Sequence, residues 1–566
     1  MKGDIRIMYN KEKIEDFEKI IKLAISDEKI GNFILYSLER DIDIEKIGNI
    51  FEKSLEQLER KNKGQYYTPR EIVDYIVSSL NINDKTNVID PACGCGSFLL
   101  SIMERLKSKD EDHKYQNIYG VDLNPSAVNI TRLSLIIKGG FKKELINLLE
   151  KNIKVGNSIV SNKNLDNLAF QWYKEFTDIF KTGGFDIVIG NPPYVTLRMM
   201  KDFDPKESLY SHLIKGPVNA ATLMIGRGLE ILKPGGILAF VLPKTILHVE
   251  SYSRLRKYLL DNTKVIQIFD IGLKFRDVRG EQIILLVKKE KPTSEHKVEI
   301  RMVKDRYKSL FDQPTYKIKQ SMFLKFNKIL IFNDEEYYSL LDKIASGKTE
   351  LSKFVNGLIF RGLPIGGNSS FITKEAHNNS EKIIRGKSIS KFKIKNVLYI
   401  NKEALNNFSE EKLTILKQKK IVLQNIFSSE SGMIAAYDNQ GLLSLDTVTN
   451  IIINDNILAK YILCLLNSKL INFYVMYGLY NRARLTMHTD RTYIGKIPIV
   501  ANLKQEYLKK AIKYADDAIR EERVDEIKKI LRGIDEIVYK IYDLDANEIN
   551  LVEKGVSQML STKSRW

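Results

Sequence analysis

From about residue 64 to 290 the chain alternates short apolar runs with amphipathic stretches, and this alternation limits the folds open to it more than any other feature. The apolar runs fall at 88–90, 118–122, 185–190 and 236–242, with helical spacing over 97–106, 125–138 and 220–232 between them. Strands that alternate with helices argue for a parallel sheet, and continuous apolar strands argue for cover on both faces. The expected fold class is therefore α/β. The runs at 265–271 and 282–288 have only a short loop between them, which predicts an antiparallel hairpin at the sheet edge.

The flanking regions read differently. Over 1–60, Ile44, Ile47, Ile50, Phe51, Leu55 and Leu58 recur at helical spacing, and Lys61-Asn-Lys-Gly64 breaks the pattern. After 291, strand-like pieces at 398–400, 421–423 and 450–454 are separated by Gly-, Asn- and Ser-rich loops, with one helix over 457–466. Helical spacing returns from 505 to 560. The expected divisions are a helical segment over 1–60, the α/β domain over 61–290, a mixed α+β domain over 291–500 and a helical tail over 501–566.

Lysine and arginine total 89 against 71 acids, a net charge of +18. Such an excess favours a polyanionic partner, because bound cations release counterions from a phosphate backbone. The three cysteines, Cys93, Cys95 and Cys464, make no disulfide framework, and the N-terminus lacks the apolar core of a secretory signal. No run of eighteen apolar residues predicts a membrane span. A reducing, cytoplasmic setting is expected.

Two motifs carry the chemistry. The first is Asp90-Pro-Ala-Cys-Gly-Cys-Gly-Ser97, which follows a strand and opens a helix; Gly94 and Gly96 allow a tight turn and close approach of backbone to a ligand. The spacings of dinucleotide and nucleoside triphosphate loops are absent. Cys93 and Cys95, one residue apart with no second pair, are poor zinc ligands, so no metal is expected. Asp122 ends the next strand, where an acid can hold a ribose diol or simply sit at the start of a helix. The second motif is Asn191-Pro-Pro-Tyr194, directly after a strand. An aryl amine is a poor nucleophile because its lone pair is delocalised into the ring. The Asn191 side-chain oxygen and the Pro192 carbonyl can accept both amine hydrogens and turn the lone pair toward an electrophile. Tyr194 gives an extruded base a face to stack on.

In this order the motifs resemble the amino-methylating DNA methyltransferases, in particular the adenine-specific group of Taq type with a C-terminal recognition domain. The resemblance implies a Rossmann-like seven-stranded sheet, S-adenosylmethionine as cofactor and methyl transfer to N6 of a flipped adenine in double-stranded DNA. Gly64-Gln-Tyr-Tyr-Thr-Pro69 is similar to the family's segment ahead of the sheet. By that likeness Thr68, Asp90, Ala92, Gly94, Asp122 and Pro193 are cofactor contacts. Asn157 and Ser158 fall where the family has an Asp-Phe-like pair beside the cofactor adenine, and here the chain departs from the pattern. Phe275 sits where the family places an aromatic against the other face of the target base. Leu465-Leu-Asn-Ser-Lys469 and Tyr493-Ile-Gly-Lys-Ile-Pro498 resemble pieces of the recognition domain, and the helical tail resembles a common extension.

Asn-Pro-Pro-Tyr also occurs in enzymes that methylate protein glutamine amides or RNA adenines, and a DNA-binding subunit without catalysis is a third reading. Those other enzymes are generally compact and lack a recognition domain of such length. No nuclease motif is evident, so cleavage would fall to a separate endonuclease partner; a monomer is expected. Basic residues crowd the later half: Lys387, Lys391, Lys393, Lys395, Lys419 and Lys420, then Asn481-Arg-Ala-Arg-Leu-Thr-Met-His-Thr-Asp-Arg491. Arg482, Arg484, His488 and Arg491 are the expected DNA contacts; arginine suits guanine and asparagine adenine, although more such charges meet phosphates than bases.

Overall fold

The computed structural model describes residues 68–106, 113–139, 142–164, 166–195, 210–217, 219–275, 280–304, 307–366, 369–483 and 487–562. The helical segment expected over 1–60 and the Gly64–Tyr67 part of the next motif lie outside the described residues. Two compact units divide at Ile329 and Leu330.

The first unit is built on a nine-stranded sheet in the order β3-β2-β1-β4-β5-β7-β6-β8-β9. Its strands are β1 (Val88–Asp90), β2 (Ile118–Asp122), β3 (Ile153–Val155), β4 (Phe185–Gly190), β5 (Leu232–Pro243), β6 (Lys264–Gly272), β7 (Gln282–Lys288), β8 (Lys297–Met302) and β9 (Thr315–Lys319). The first five pair in parallel, and β7 runs antiparallel between β5 and β6. Helices α1 (Arg70–Ser78), α2 (Ser97–Arg105), α3 (Pro125–Lys138), α4 (Lys143–Asn152), α5 (Ala220–Ile231) and α6 (Ser253–Asn262) accompany it. β1 is buried throughout, and so are Ile187 to Gly190 of β4, as expected of strands covered on both faces.

The hairpin expected at the edge is internal. Two further strands, β8 and β9, lie outside β6, so the sheet exceeds the expected seven strands and continues past residue 290. β8 reads Lys-Val-Glu-Ile-Arg-Met, with Val298, Ile300 and Met302 buried and the alternate residues more exposed. A half-buried alternating strand carries a weaker apolar signal than a central one, and the charged β9 is a typical protected edge.

In the second unit an antiparallel sheet pairs Ile359–Arg361, Val448–Ile452, Lys420–Gln424 and Ala435–Asp438 in that order. The helix Asn456–Asn467 is buried along most of its length. The helices Gln505–Arg520, Val524–Ile541 and Ala546–Thr562 are part of this unit's packing: the Cys464 thiol donates to Ala511 O at 3.2 Å, and Lys469 pairs with Glu553 at 2.8 Å. Among the described residues no single helix is long and apolar enough to cross a membrane.

Strand order reverses between β1 and β4, so the connections leave in opposite directions and open a crevice at the carboxyl ends of these strands. Gly190 ends β4 there with φ 154°, and a Cβ on it would lie 2.6 Å from Asp90 Oδ1. Gly190→Ala should therefore destabilise the fold by about 1–3 kcal/mol, as backbone strain and overpacking do. Urea titration checks this; an unchanged midpoint would show that the two strand ends are not packed as described.

Candidate active site at the switch point

The loop after β1 is shaped by its own backbone. Ala92 N–H donates to Asp90 Oδ1 at 3.0 Å, and Gly94 and Gly96 take φ values of 50° and 85°. Thr131 of α3 donates its hydroxyl to Gly94 O at 2.7 Å, and a Cβ on Gly96 would lie 2.9 Å from Thr131 Cγ2. Gly94 N–H points to the next strand and donates to Asp122 Oδ2 at 2.9 Å, while Asn124 N–H donates to Asp122 Oδ1 at 2.9 Å. The acid at the tip of β2 is thus held in a fixed orientation beside the glycine loop. Leu123, the residue after it, is exposed, an apolar face at the site that the sequence reading passed over although its place after a strand-terminal acid marks it.

Both acids are buried. Burial pushes the Asp90 carboxyl from its usual 3.8 up to about 8; the Ala92 amide opposes the rise and the Asp122 charge adds to it. Burial also raises Asp122, against the pull of the Asn124 and Gly94 amides. Two carboxyls kept from water at adjacent strand ends favour a cationic or hydroxyl-bearing ligand. Cys93 is buried and burial raises its thiol, which marks it as a packing residue.

Asn157 and Ser158 follow β3, and their polar atoms shape the chain itself. Asn157 Oδ1 accepts from Ile159 N–H at 3.1 Å and Val160 N–H at 3.3 Å, and its Nδ2 donates to Asp166 Oδ2 at 2.6 Å. Asp166 thus stands directly beside Asn157. Ser158 Oγ donates to Pro91 O at 2.6 Å, tying this turn to the loop after β1. Arg227 of α5 donates from Nε to Ser158 O at 3.0 Å and from a terminal nitrogen to Ile159 O at 3.1 Å; Trp172 Nε1 donates to Ser158 O at 3.1 Å. Sequence reasoning missed Arg227, although a lone arginine inside the apolar Ala-Ala-Thr-Leu-Met-Ile-Gly-Arg-Gly-Leu-Glu-Ile helix is a signal for a buried clamp.

Beyond Gly190, Asn191 Nδ2 donates to Thr68 Oγ1 at 3.1 Å, and the Tyr194 hydroxyl lies 2.7 Å from Asn191 Oδ1 and 3.1 Å from Val241 O. The amide plane of Asn191 is held from both ends, with its carbonyl oxygen on the side of Tyr194. Burial raises the Tyr194 hydroxyl and keeps it a neutral donor. Its anchoring role was not foreseen; the sequence suggested only a stacking face. Pro192 is buried and Pro193 half-buried. Phe275, three residues past β6, is 4% exposed, so its ring is packed away in this structure instead of standing open. Its neighbour Lys274 pairs with Glu71 of α1 at 2.9 Å.

In the second unit the expected DNA contacts have varied surroundings, and Arg484 lies outside the described residues. The Arg482 guanidinium lies 5.4 Å from the centre of the Tyr477 ring. His488 Nδ1 is 3.2 Å from Asn425 Oδ1. Arg491 is exposed and packs over Gly357, where an added Cβ would lie 2.8 Å from its guanidinium. Two candidates for base or phosphate contact are corrected. Lys420 is fully buried and spans Asp438 Oδ2 at 2.6 Å and Leu442 O at 2.8 Å. Asn481 is also buried and accepts from Ile331 N–H at 2.7 Å. Arg361, missed in the sequence, forms a two-point pair with Asp490 at 2.7 and 2.9 Å and keeps 46% of its side chain exposed to solvent.

Residues 116–275 match the family described as Eco57I restriction-modification methylase, and residues 381–499 match the TaqI-like C-terminal specificity domain. The chain is 26% identical over 275 residues to the Type II methyltransferase M.VspI of Vibrio sp. (strain 343), covering 48% of this chain and 58% of that protein. It is 28% identical over 256 residues to the Type I restriction enzyme MjaIX methylase subunit of Methanocaldococcus jannaschii, covering 43% and 41%. To the Type II restriction enzyme and methyltransferase RM.Eco57I of Escherichia coli it is 24% identical over 306 residues, covering 44% and 30%. The chain thus spans at most 58% of the length of these relatives. Among solved structures, the Type IIL restriction-modification enzyme MmeI in complex with DNA aligns with a TM-score of 0.56 at 13% identity, covering 93% of this chain and 78% of that one. A nuclease-deletion mutant of the Type ISP enzyme LlaGI aligns with a TM-score of 0.53 at 13% identity, covering 90% and 59%. At such identities the likeness is one of fold.

The raised Asp90 carboxyl has a measurable signature. Between about pH 4 and about pH 8 the folded protein keeps a proton there that the unfolded chain releases. This contribution to stability is fully present below the unfolded value and is lost as pH rises through about 8, by up to about 1.4 kcal/mol per pH unit. Asp90→Asn keeps an acceptor for Ala92 N–H and removes the titration. Its stability relative to wild type should therefore rise from about pH 5 to about pH 8 in urea titrations. A constant difference across that range would place the Asp90 titration elsewhere.

Proposed function

Because the chain joins an Eco57I-type restriction-modification methylase domain to a TaqI-like C-terminal specificity domain, we propose that it is a site-specific DNA methyltransferase. The reaction we assign is methyl transfer from S-adenosylmethionine to the N6 amino group of an adenine flipped out of double-stranded DNA. The setting is a restriction-modification system, with cleavage left to a separate endonuclease. The observation that carries this reading is Asn191 at the switch point, its amide clamped between Thr68 and Tyr194 just past β4, where Gly190 lies against the buried Asp90.

The donor set suits the cofactor. Asp122, oriented by Gly94 and Asn124 N–H, is fit to accept from a ribose diol; the buried Asp90 carboxyl favours a nearby positive charge; Leu123 offers an apolar face for a purine. When bound, S-adenosylmethionine supplies an electrophilic methyl group on a sulfonium. The remaining work is done by side chains and backbone of this protein. Asn191 Oδ1 and the Pro192 carbonyl accept the two amine hydrogens and hold the nitrogen lone pair in line, and the restraint of Asn191 by Thr68 and Tyr194 removes the cost of reorienting these dipoles during reaction. Tyr194, pinned at its hydroxyl near Val241 O, presents its ring to the base. Arg482, His488 and Arg491 are assigned to DNA contact in the specificity domain, with Arg361 added.

Asn191→Ala should lower turnover by about 10²–10³-fold while DNA and cofactor affinities stay close to wild type, the pattern of an interaction lost mainly in the transition state. Mass spectrometry of digested DNA should show N6-methyladenine. Methylated cytosine, label appearing only in RNA or protein, or full activity of Asn191→Ala would overturn the assignment. DNA binding should weaken steeply with salt, on the order of 10³-fold between about 50 and about 200 mM if six or more phosphates are neutralised. Fluorescence anisotropy checks this, and a flat salt dependence would remove the basic surface from the reading.

A further inference from the structure

One arginine of the second unit is held along one edge and open along another. Arg361 ends the strand Ile359–Arg361, and its Nε and Nη2 donate to Asp490 Oδ1 and Oδ2 at 2.7 and 2.9 Å. A guanidinium has a second pair of parallel donors on the edge between Nη1 and Nη2. Among the described residues Nη1 has no hydrogen-bond partner, and 46% of the side chain is exposed. The backbone beneath it is fixed as well. Arg361 pairs with Thr449 across the sheet, and a Cβ on the next residue, Gly362, would collide with Ser444 O.

Asp490 is itself held from the interior. The buried Asn425 donates from Nδ2 to Asp490 Oδ1 at 3.2 Å and to Thr449 Oγ1 at 3.0 Å. Thr489, also buried, donates its N–H to Asn425 O at 2.8 Å, and its hydroxyl lies 2.8 Å from Thr449 Oγ1. Burial works against the Asp490 charge, but hydrogen bonds from Arg361 and Asn425 outweigh it and hold the carboxyl below its usual range. An exposed ion pair by itself adds little to stability, so stability does not account for a pair built on buried polar residues. What these residues supply is a guanidinium of fixed direction. That direction suits a neutral acceptor better than a phosphate: paired with Asp490 the guanidinium carries little net charge, and the carboxylate repels an anion. Asp446 adds a second negative charge near Arg361. Guanine presents O6 and N7 side by side in the major groove, both uncharged and spaced for two parallel N–H donors, whereas adenine offers one acceptor beside its amino group.

We propose that Arg361 is a specificity-determining residue: through its Nη1–Nη2 edge it donates two hydrogen bonds to O6 and N7 of a guanine in the recognised sequence, and Asp490 is the positioning residue that aims it. The proposal rests on the reading of the chain as a site-specific DNA methyltransferase and goes beyond it by assigning one base of the recognised sequence to one side chain. The stretch that matches the specificity-domain family, 381–499, contains Asp490 but not Arg361. The reading edge is therefore completed by a strand from outside that stretch.

The test uses the full chain and sequences selected by binding, so that it does not depend on methyl transfer. Bound duplexes are recovered from a random pool for wild type, Arg361→Ala, Arg361→Lys and Asp490→Ala. Wild type should select a sequence with a fixed G·C pair at which Arg361→Ala and Asp490→Ala no longer discriminate, while the other positions keep their preference. Arg361→Lys keeps the charge but not the two parallel donors, and should relax the same position. In fluorescence anisotropy, replacing that guanine by 7-deazaguanine, which lacks the N7 acceptor, should weaken wild-type binding by about tenfold and leave Arg361→Ala binding unchanged. A phosphate contact would give another pattern: Arg361→Ala weakens binding to every sequence alike, Arg361→Lys restores it and the salt dependence becomes shallower. That pattern overturns the proposal, and so does an unchanged selected sequence in the Arg361 variants. A site none of whose guanines responds to 7-deazaguanine in wild type overturns it without any variant. If wild type prefers no sequence, the reading of the chain as site-specific falls and the proposal with it. If the guanine responds as expected but no adenine is methylated, the role of Arg361 stands and the catalytic reading falls.

Discussion

Two strand ends meet where Gly190 of β4 lies against Asp90 of β1, so closely that the acid occupies the space a side chain at 190 would take. The neighbouring elements are arranged around this approach. It brings the glycine loop that follows β1 and the Asn191-Pro-Pro-Tyr194 segment that follows β4 to the same crevice, although a hundred residues separate them in the chain. Because strand order reverses between these two strands, the connections that follow them leave in opposite directions and a crevice opens at their carboxyl ends. From this edge the hydrogen bonds spread outward: Asn191 to Thr68, Tyr194 toward Val241, Gly94 to Asp122, Ser158 to Pro91.

Desolvation gives the crevice its chemical character. Asp90 and Asp122 are kept from water at adjacent strand ends, which raises both carboxyls and makes a cationic ligand with hydroxyl donors a favourable partner. The same unit holds its other buried charges by explicit pairing. Arg227 is spent on Ser158 O, Ile159 O and Glu230; Lys244 on Asp270 and Glu281. Arg227 ties the turn after β3 to α5, and Lys244 joins the end of β5 to Asp270 of β6 and to Glu281 before β7.

The second unit uses buried polar groups in a different way. Lys420 closes the end of a strand by meeting Asp438 and backbone carbonyls, and Asn481 satisfies a backbone amide. Both stood among basic or amide-bearing residues that the sequence suggested for DNA contact. Lysine in a Lys-rich segment gives no sign of which member turns inward, since that depends on an acid eighteen residues away across an antiparallel pair. Arg361 is the converse case: nothing near it in sequence distinguishes it, yet Asp490 orients its guanidinium at an exposed position.

Much of the first unit was legible from residue order. The strands β1, β2 and β4 and the helices α2, α3 and α5 followed from period and apolar runs, because strands covered on both faces and helices with one buried stripe leave strong local patterns. The chemistry-bearing loops were legible because glycine and proline constrain the backbone wherever they stand. The outer strands β8 and β9 were not, since half-buried edge strands alternate with charge and resemble loops. Nor were the clamps: Arg227 to Ser158, Tyr194 to Asn191, Lys244 to Asp270 and Glu281. The sequence by itself determined which backbone shapes were allowed and which groups were available. Only the tertiary structure decided which of those groups meet, because burial and hydrogen-bond partners are set by residues far apart in the chain, and these contacts separate a working acid or lysine from a structural one.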